Sequence, residues 1–391
     1  MAEIRPVGID QTTGQQRSII DGDTVANNIG SSTFLNVSNI GDYNSFGNLV
    51  NPAFSYGNPI ITDSPATTPS NTGRAVKWSP GGEFLAVGNN TVSAGEFHIY
   101  QRTGRTLTRL PNPSTVPVQL CRSVSWSGNG EYLAASDGAG SGGLFIYQRS
   151  GATFTALAEP ASAVNGISTS VSISPNGEFV ATGFASSPYL TLHSINGTTL
   201  TFVDNPATLP TAEVIECSWS NDSQFLGVSQ VLSGTRTFNL YQRRGSSFER
   251  LSDPTSLPAA TSRAIAWSPG DQYMVLSHTN SAIVYDHDGN GGLTYLTSLS
   301  ALGAIPGGSW HPSGNFIALG HLGTPYVTVF RRSGDTFTDL ELPASLPNQG
   351  FEVDFSPDGQ FLAAVHANSP YLTVFQTTKT LNTGIVVKDS K

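Results

Sequence analysis

Seven times along this chain a large apolar residue ends a short alternating run, a polar turn follows, and a fresh apolar run begins. The residues concerned are Trp78, Trp126, Ile173, Trp219, Trp267, Trp310 and Phe355. The intervals between them are 48, 47, 46, 48, 43 and 45 residues. A period in this range is the length of a four-stranded sheet rather than of a helix pair, because each unit also carries three hairpin-like turns and alternating apolar positions. Seven such units predict an all-β fold, a seven-bladed β-propeller of four-stranded antiparallel blades.

In the first unit the spacing places an innermost strand at Arg74–Ser79, a second at Glu83–Gly88, a third at Glu96–Arg102 and an outermost at Thr106–Leu110. Gly, Pro, Asn and Asp punctuate the gaps. Val76 and Trp78 alternate with Ala75 and Lys77, and Val124 and Trp126 with Ser123 and Ser125, the period of two expected of a strand. The row of mostly small residues continues as Ser170 and Ser172, Glu216 and Ser218, Ala264 and Ala266, Gly307 and Ser309, and Glu352 and Asp354. Small side chains suit an axis on which seven sheets converge, while the large ones interleave between blades. The third strands are apolar on both faces, as in Leu144, Phe145, Ile146 and Tyr147, which suits sheets stacked on both sides.

The turn after each anchor runs WSPGGEFLAVG at Trp78, WSGNGEYLAAS at Trp126, ISPNGEFVATG at Ile173, WSPGDQYMVLS at Trp267, WHPSGNFIALG at Trp310 and FSPDGQFLAAV at Phe355. It resembles the first hairpin of WD-repeat and lactonase-type propeller blades, over about residues 55–380. The Gly-His and Trp-Asp dipeptides that name the WD family are absent.

A proline lies 13 residues before the anchor in five units, at Pro65, Pro113, Pro160, Pro206 and Pro254. Pro65 precedes the first full blade, so an outermost strand near 58–62 is expected to complete the last unit, Phe351–Gln376, and lock the ring. The competing closure uses Thr380–Val387. Among the axial residues Lys77 belongs to the blade next to the last one, so an ion pair with Asp354 or Glu352 is expected across the closure.

Charged residues are only 12 % of the chain, with 41 Gly and 24 Pro, as in a turn-rich all-β protein covered by Ser, Thr and Asn. The net charge is −9 and the 19 basic residues form no run, which argues against nucleic acid as a partner and against an anionic membrane surface. Neither a signal-peptide-like segment nor an apolar run of spanning length is present, so synthesis in soluble form without membrane insertion is expected. Cys121 and Cys217 fall in non-adjacent blades, too far apart for a disulfide to be expected.

The expected organisation is an N-terminal extension, residues 1–54, and a propeller, residues 55–391. The extension is rich in Asn, Gly and Ser and holds too few apolar residues for its own core. Its stretch Gly8-Ile9-Asp10 through Thr13-Gly14-Gln15-Gln16-Arg17, ending Asp21-Gly22-Asp23-Thr24-Val25, is similar to the leader segments of tailed-phage fibre and other virion appendage proteins. In that family such segments dock the appendage, often as a trimer, onto tail or head. The resemblance implies a docking segment containing Ile9, Asp10, Gly14, Arg17 and Asp23, other virion proteins as partners, and a virion-surface location after synthesis in the host cytoplasm. The alternative is a flexible extension that packs along the propeller rim or is disordered.

Three histidines share one register, eleven residues after the anchor, at His278, His321 and His366, with Asn89, Asp137, Phe184 and Gln230 in the other blades. Imidazoles at one level could bind a metal or a small polar ligand, but packed sheets stand roughly 10 Å apart, which argues against convergence on one ion. Asp286-His287-Asp288-Gly289-Asn290-Gly291 has the start of a calcium loop, yet Thr294 and Thr297 stand where later carboxylates are expected, so a turn is favoured. The turns between third and fourth strands supply Arg102, Arg149, Arg243, Arg244, Arg331 and Arg332. The first hairpins on the same face supply Glu83, Glu131, Glu178, Asp222, Asp271 and Asp358. Solvated charges of little energetic weight are expected there rather than an anion-binding ring.

The lactonase resemblance implies acidic and basic residues in a central channel, whereas the axial row here is mostly Ser, Ala and Gly. No Ser-His-Asp set, metal cluster or phosphate-cradling Gly loop can be placed. With no cofactor expected, the leading expectation is a non-enzymatic phage structural protein, decorating a head or tail and contacting a host-surface glycan or protein. A propeller hydrolase and a cellular interaction scaffold are the alternatives.

Overall fold

The computed structural model describes residues 68–90, 97–138, 143–158, 166–234, 236–254, 256–340 and 346–377, together with five isolated three-residue strands near the termini. The first group forms seven antiparallel sheets in chain order. Their innermost strands are Gly73–Trp78, Val124–Trp126, Ser168–Ile173, Val214–Trp219, Ile265–Trp267, Gly307–Trp310 and Gly350–Phe355. Each touches the next, and the last touches the first, which closes a ring of seven blades. No helix occurs among the described residues.

Each blade is a meander built by its turns. In blade one Gly73–Trp78 pairs with Phe84–Asn89, which pairs with Phe97–Thr103, which pairs with Thr106–Arg109. In the first hairpin the Ser79 hydroxyl accepts the Phe84 amide at 2.9 Å, and the same bond recurs from Ser127, Ser174, Ser220, Ser268 and Ser356. The turn needs a left-handed residue, supplied by glycine at Gly82, Gly130, Gly177, Gly314 and Gly359, and by Ser223 and Asp271 in blades four and five. In blade five the second and third strands are one folded element, Tyr273–His287, reversed near Asn280, whose φ is 72°. The seventh blade has three described strands. The expected closing strand at 58–62 lies outside the described residues. Val386–Lys388, which overlaps the competing choice, pairs instead with Thr24–Ala26, itself paired with Phe34–Asn36.

The core lies between blades. Phe84 of blade one stacks on Trp126 of blade two at 6.4 Å between ring centroids, and Phe154 of blade two meets Phe84 edge-on at 5.6 Å. Phe179, Trp219 and Phe248 repeat this between blades three and four, and Tyr273, Trp310 and Phe337 between five and six. Offset and edge-to-face rings gain about 0.5–1.5 kcal/mol per pair beyond the area they bury. His287 and His311 serve as rings at two other interfaces, against Phe225 of blade four and Phe355 of blade seven.

The anchor tryptophans also hook neighbouring blades. The indole N–H of Trp126 donates to the Lys77 carbonyl at 3.2 Å, that of Trp219 to Ser172 at 3.1 Å, that of Trp267 to Ser218 at 3.3 Å and that of Trp310 to Ala266 at 3.2 Å. The indole N–H of Trp78 is buried with no acceptor among the described residues.

The arginines of the outer turns are not solvated charges, which corrects the sequence expectation. Arg102, Arg149, Arg243 and Arg332 each lie over a ring of the preceding blade, Phe361, Phe84, Phe179 and Tyr273, at 5.1, 5.3, 4.6 and 5.0 Å. Arg102 also pairs with Asp358 at 2.7 Å and Arg243 with Glu178 at 2.6 Å. Flat guanidinium groups bury well against aromatic faces, so these side chains are clasps between blades. Asp271 has a similar part, accepting the backbone amides of Asn221 and Asp222 in the preceding blade at 2.8 and 2.9 Å. Among these arginines Arg244, paired with Glu249, has the exposed character expected, as do Glu83, Glu178 and Asp222 among the acids.

Trp219→Phe removes one interblade hydrogen bond and is expected to lower unfolding free energy by about 1 kcal/mol more than Trp78→Phe, which removes a ring of the same size but no described bond. Urea denaturation of both variants measures the difference; equal losses would contradict the hook.

Candidate functional site

A concavity opens along the inner edges of the blades. It encloses about 620 Å³, within the usual range for small-molecule pockets. Its wall is formed by the innermost strands of blades one to five and seven, with Pro306 from blade six, and each innermost strand is a sheet edge. An edge strand presents unpaired backbone N–H groups that need acceptors.

At five of the seven interfaces those acceptors come from the axial row of the preceding blade. Ser123 and Ser125 accept the amides of Val171 and Ile173 at 3.1 and 2.9 Å. Ser170 accepts Cys217 at 2.9 Å, Glu216 accepts Ile265 at 3.3 Å, and Ser309 accepts Phe355 at 3.2 Å. At the closure Glu352 accepts Val76 at 3.3 Å and Asp354 accepts Trp78 at 2.8 Å. The row is therefore polar in blades two, three, four, six and seven for a reason beyond size, whereas the rows of blades one and five, Ala75 and Lys77 and Ala264 and Ala266, hold no acceptor. Gly307 in this row carries no side chain because a Cβ there would lie 2.5 Å from the Phe351 carbonyl oxygen.

The ion pair expected across the closure is present, with Lys77 Nζ 2.8 Å from Glu352 Oε1 and 3.7 Å from Asp354 Oδ1. Burial disfavours the Lys77 ammonium, but the two carboxylates outweigh it and hold its pKa above the ordinary lysine range. Glu216 has no such partner at contact distance. Burial, reinforced by repulsion from Glu352 and opposed by Lys77 and the Ile265 amide, pushes its pKa up to about 8. It is thus mostly protonated at neutral pH.

A second feature of the wall escaped the alternation of the sequence. Ladder registers slip by one residue between Gly73 and Ala75, Ser168 and Ser170, Val214 and Glu216, and Gly350 and Glu352. The bulged residues Arg74, Thr169, Ile215 and Phe351 all line the channel, four positions before their anchors. A bulge breaks the period of two and re-aims a side chain. At the same level blades two and five contribute Arg122 and Arg263.

The residues eleven positions after each anchor are kept apart. His321 Nε2 is 3.0 Å from Thr328 Oγ1, and His366 Nε2 is 2.9 Å from Thr373 Oγ1, each within its own blade. Gln230 accepts from Asn239 at 2.9 Å, while Asp137 accepts the amides of Gln119 and Val118 at 3.0 and 3.4 Å. Asn89 ends the second strand of blade one and is buried. His278 is half-buried near the reversal of blade five. Burial lowers the His366 pKa to about 4, which keeps it neutral. No group of three potential metal ligands occurs among the described residues. Asp288 of the calcium-like segment accepts the amides of Asn290 and Gly292 at 2.7 and 2.8 Å, an ordinary side-chain-closed turn. Cys121 and Cys217 are free and buried, and burial raises both thiol pKa values.

Of the docking residues expected near the N-terminus, Ile9 and Arg17 lie on the paired strands Val7–Ile9 and Gln16–Ser18, opposite Gln16 and Gly8. Asp10, Gly14 and Asp23 lie outside the described residues.

The chain is a seven-bladed β-propeller. Two solved structures are similar to it: a Kuenenia stuttgartiensis hydrazine synthase chain, with a TM-score of 0.62 and 15 % identity over 82 % of this chain and 99 % of that one, and the Myceliophteria thermophila Cps50 (Swd1) β-propeller domain, with a TM-score of 0.62 and 12 % identity over 80 % and 99 %. At these identities the likeness is one of fold. No protein-family profile matches the chain, and no curated protein matches it significantly. Nothing in these comparisons supports the resemblance of the leader to virion appendage segments.

Because the Glu216 pKa in the folded chain, about 8, lies above its ordinary value of 4.5, the folded state holds a proton that the unfolded state has released between those limits. Stability is therefore full below about pH 4.5 and is lost as pH rises through 8. Glu216→Gln keeps an acceptor for Ile265 and removes the titration. Its thermal midpoint is expected to gain on wild type steadily from pH 4.5 to 8 and then to level off; a pH-independent difference would contradict the raised pKa.

Proposed function

We propose that this chain is a non-enzymatic binding scaffold. A propeller fold suits such a role, since it offers a rigid disc with loops on two faces and one axial channel. The observation that carries the reading is the occupation of the channel carboxylates. Glu216, Glu352 and Asp354 each accept a backbone amide of the next blade, and the last two also hold Lys77. Groups committed to the blade edges are poorly placed to act as acid, base or nucleophile, which need freedom to exchange a proton with substrate.

The narrower form of the proposal is display on a tailed-phage particle as a head or tail decoration, docked through residues 1–54 to other virion proteins, with a host-surface glycan or protein as the propeller's contact. It rests on the leader sequence, in particular on Ile9, Asp10, Gly14, Arg17 and Asp23.

Two measurements test these levels separately. Wild-type protein is expected to hydrolyse a panel of lactones no faster than buffer; turnover abolished by Glu216→Gln would replace the scaffold with the hydrolase. Mass spectrometry of purified particles is expected to find the chain in several copies, and its absence from every particle would end the virion form while leaving the scaffold intact.

A further inference from the structure

The level of the channel four residues before the anchors carries three arginines. Arg74 of blade one and Arg122 of blade two are neighbours on one side of the mouth, and Arg263 of blade five faces them, since in a ring of seven blade five stands opposite the junction of one and two. The Arg74 guanidinium carbon lies over the Phe351 ring, 4.0 Å from its centroid, which holds it at the mouth. None of the three forms an ion pair with a carboxylate among the described residues. This contrasts with Lys77 one level below, and with the clasp arginines Arg102 and Arg243.

Two further facts mark the arginines as donors in want of an acceptor. The Nε–H groups of Arg74 and Arg263 are both buried without a hydrogen-bond partner, and a buried unpaired donor costs about 1–3 kcal/mol. Burial and then the adjacent Arg122 both lower the Arg74 pKa, the signature of cations set side by side. The titratable groups facing this level are Glu213 at the mouth and Glu216, Glu352, Asp354 and Lys77 deeper in the channel. Glu216 is mostly protonated and Lys77 balances one of Glu352 and Asp354, so the other carboxylate and Glu213 set two negative charges against three guanidinium groups. A chain with a net charge of −9 thus keeps a local excess of positive charge in this axial cavity. Guanidinium groups present forked donors that match oxyanions.

We propose that the channel mouth is a binding site for a small organic molecule with at least two acidic groups, one held by Arg74 and Arg122 and the other by Arg263. The anionic groups are carboxylate or phosphate, whose shared chemistry is a compact oxyanion able to accept several N–H donors. This deepens the scaffold reading by giving the channel a ligand of its own.

The probes are citrate, inorganic phosphate and acetate, titrated calorimetrically into the full chain at low salt. Citrate is expected to bind saturably at one site, at least tenfold more tightly than acetate and with affinity falling as salt rises. Inorganic phosphate weaker than citrate is the expected order for a site with two separated anion positions. Arg122→Gln, an exposed position whose change spares the fold, is expected to weaken citrate at least tenfold, as is Arg263→Gln, while Arg244→Gln on the outer turn leaves it unchanged. Absence of saturable citrate binding, equal affinity for acetate, phosphate binding as tight as citrate, or citrate binding that survives Arg74→Gln/Arg122→Gln/Arg263→Gln in a folded variant would each overturn the proposal. The scaffold reading fails on a different result, enzymatic turnover, so the two are separable.

Discussion

Every blade of a closed ring turns one raw sheet edge toward the axis, and the structure depends on how the amides of that edge are satisfied. Water in a narrow channel is a poor and variable partner. At five of the seven interfaces the acceptor is a side chain of the preceding blade, a serine at three and a carboxylate at two. Each bond contributes only about 1 kcal/mol net, but an edge left unmet costs more. The bonds also act in one sense around the ring, so that each capping blade sets the height of the next. The indole hooks and arginine clasps add the same kind of directional link farther from the axis.

This constraint bears directly on what the channel can do. A carboxylate at the axis looks catalytic in isolation, and Glu216, with a pKa near 8, looks especially so. Its place in the row, equivalent to Ser123 and Ser170, shows that it does for blade five what those serines do for blades three and four. The closure uses the same device with a lysine added, because two acids meet there and need a counter-charge. What remains uncommitted is the level above, where bulges turn side chains out of the edge-capping pattern and into the mouth.

The repeat, the blade boundaries and the closing ion pair were legible in the sequence because each follows from spacing and from the rarity of charge in the axial row. Lys77 could pair only with a neighbour in that row, and the blade order named Glu352 and Asp354. The bulges were not legible, since a slip belongs to the pairing of two strands and leaves no mark on the alternation of one. The arginine clasps were misread as solvated charge because the turn positions that carry them are exposed in most hairpins. Their recurring aromatic partner, six residues after the anchor at Phe84, Phe179, Tyr273 and Phe361, was a readable signal. So was the threonine seven residues after His321 and His366, which identifies those imidazoles as strand-to-strand partners.

The most direct test of the edge-capping account is native-state hydrogen exchange on Ser170→Ala. The substitution is nearly isosteric and removes the acceptor 2.9 Å from the Cys217 amide. Exchange at Cys217 is expected to accelerate about tenfold, the equivalent of one lost hydrogen bond of ~1.4 kcal/mol, while the Ile265 amide held by Glu216 keeps its wild-type protection. Unchanged protection at Cys217 would contradict the account, for it would mean that the inner edges do not rely on the preceding blade.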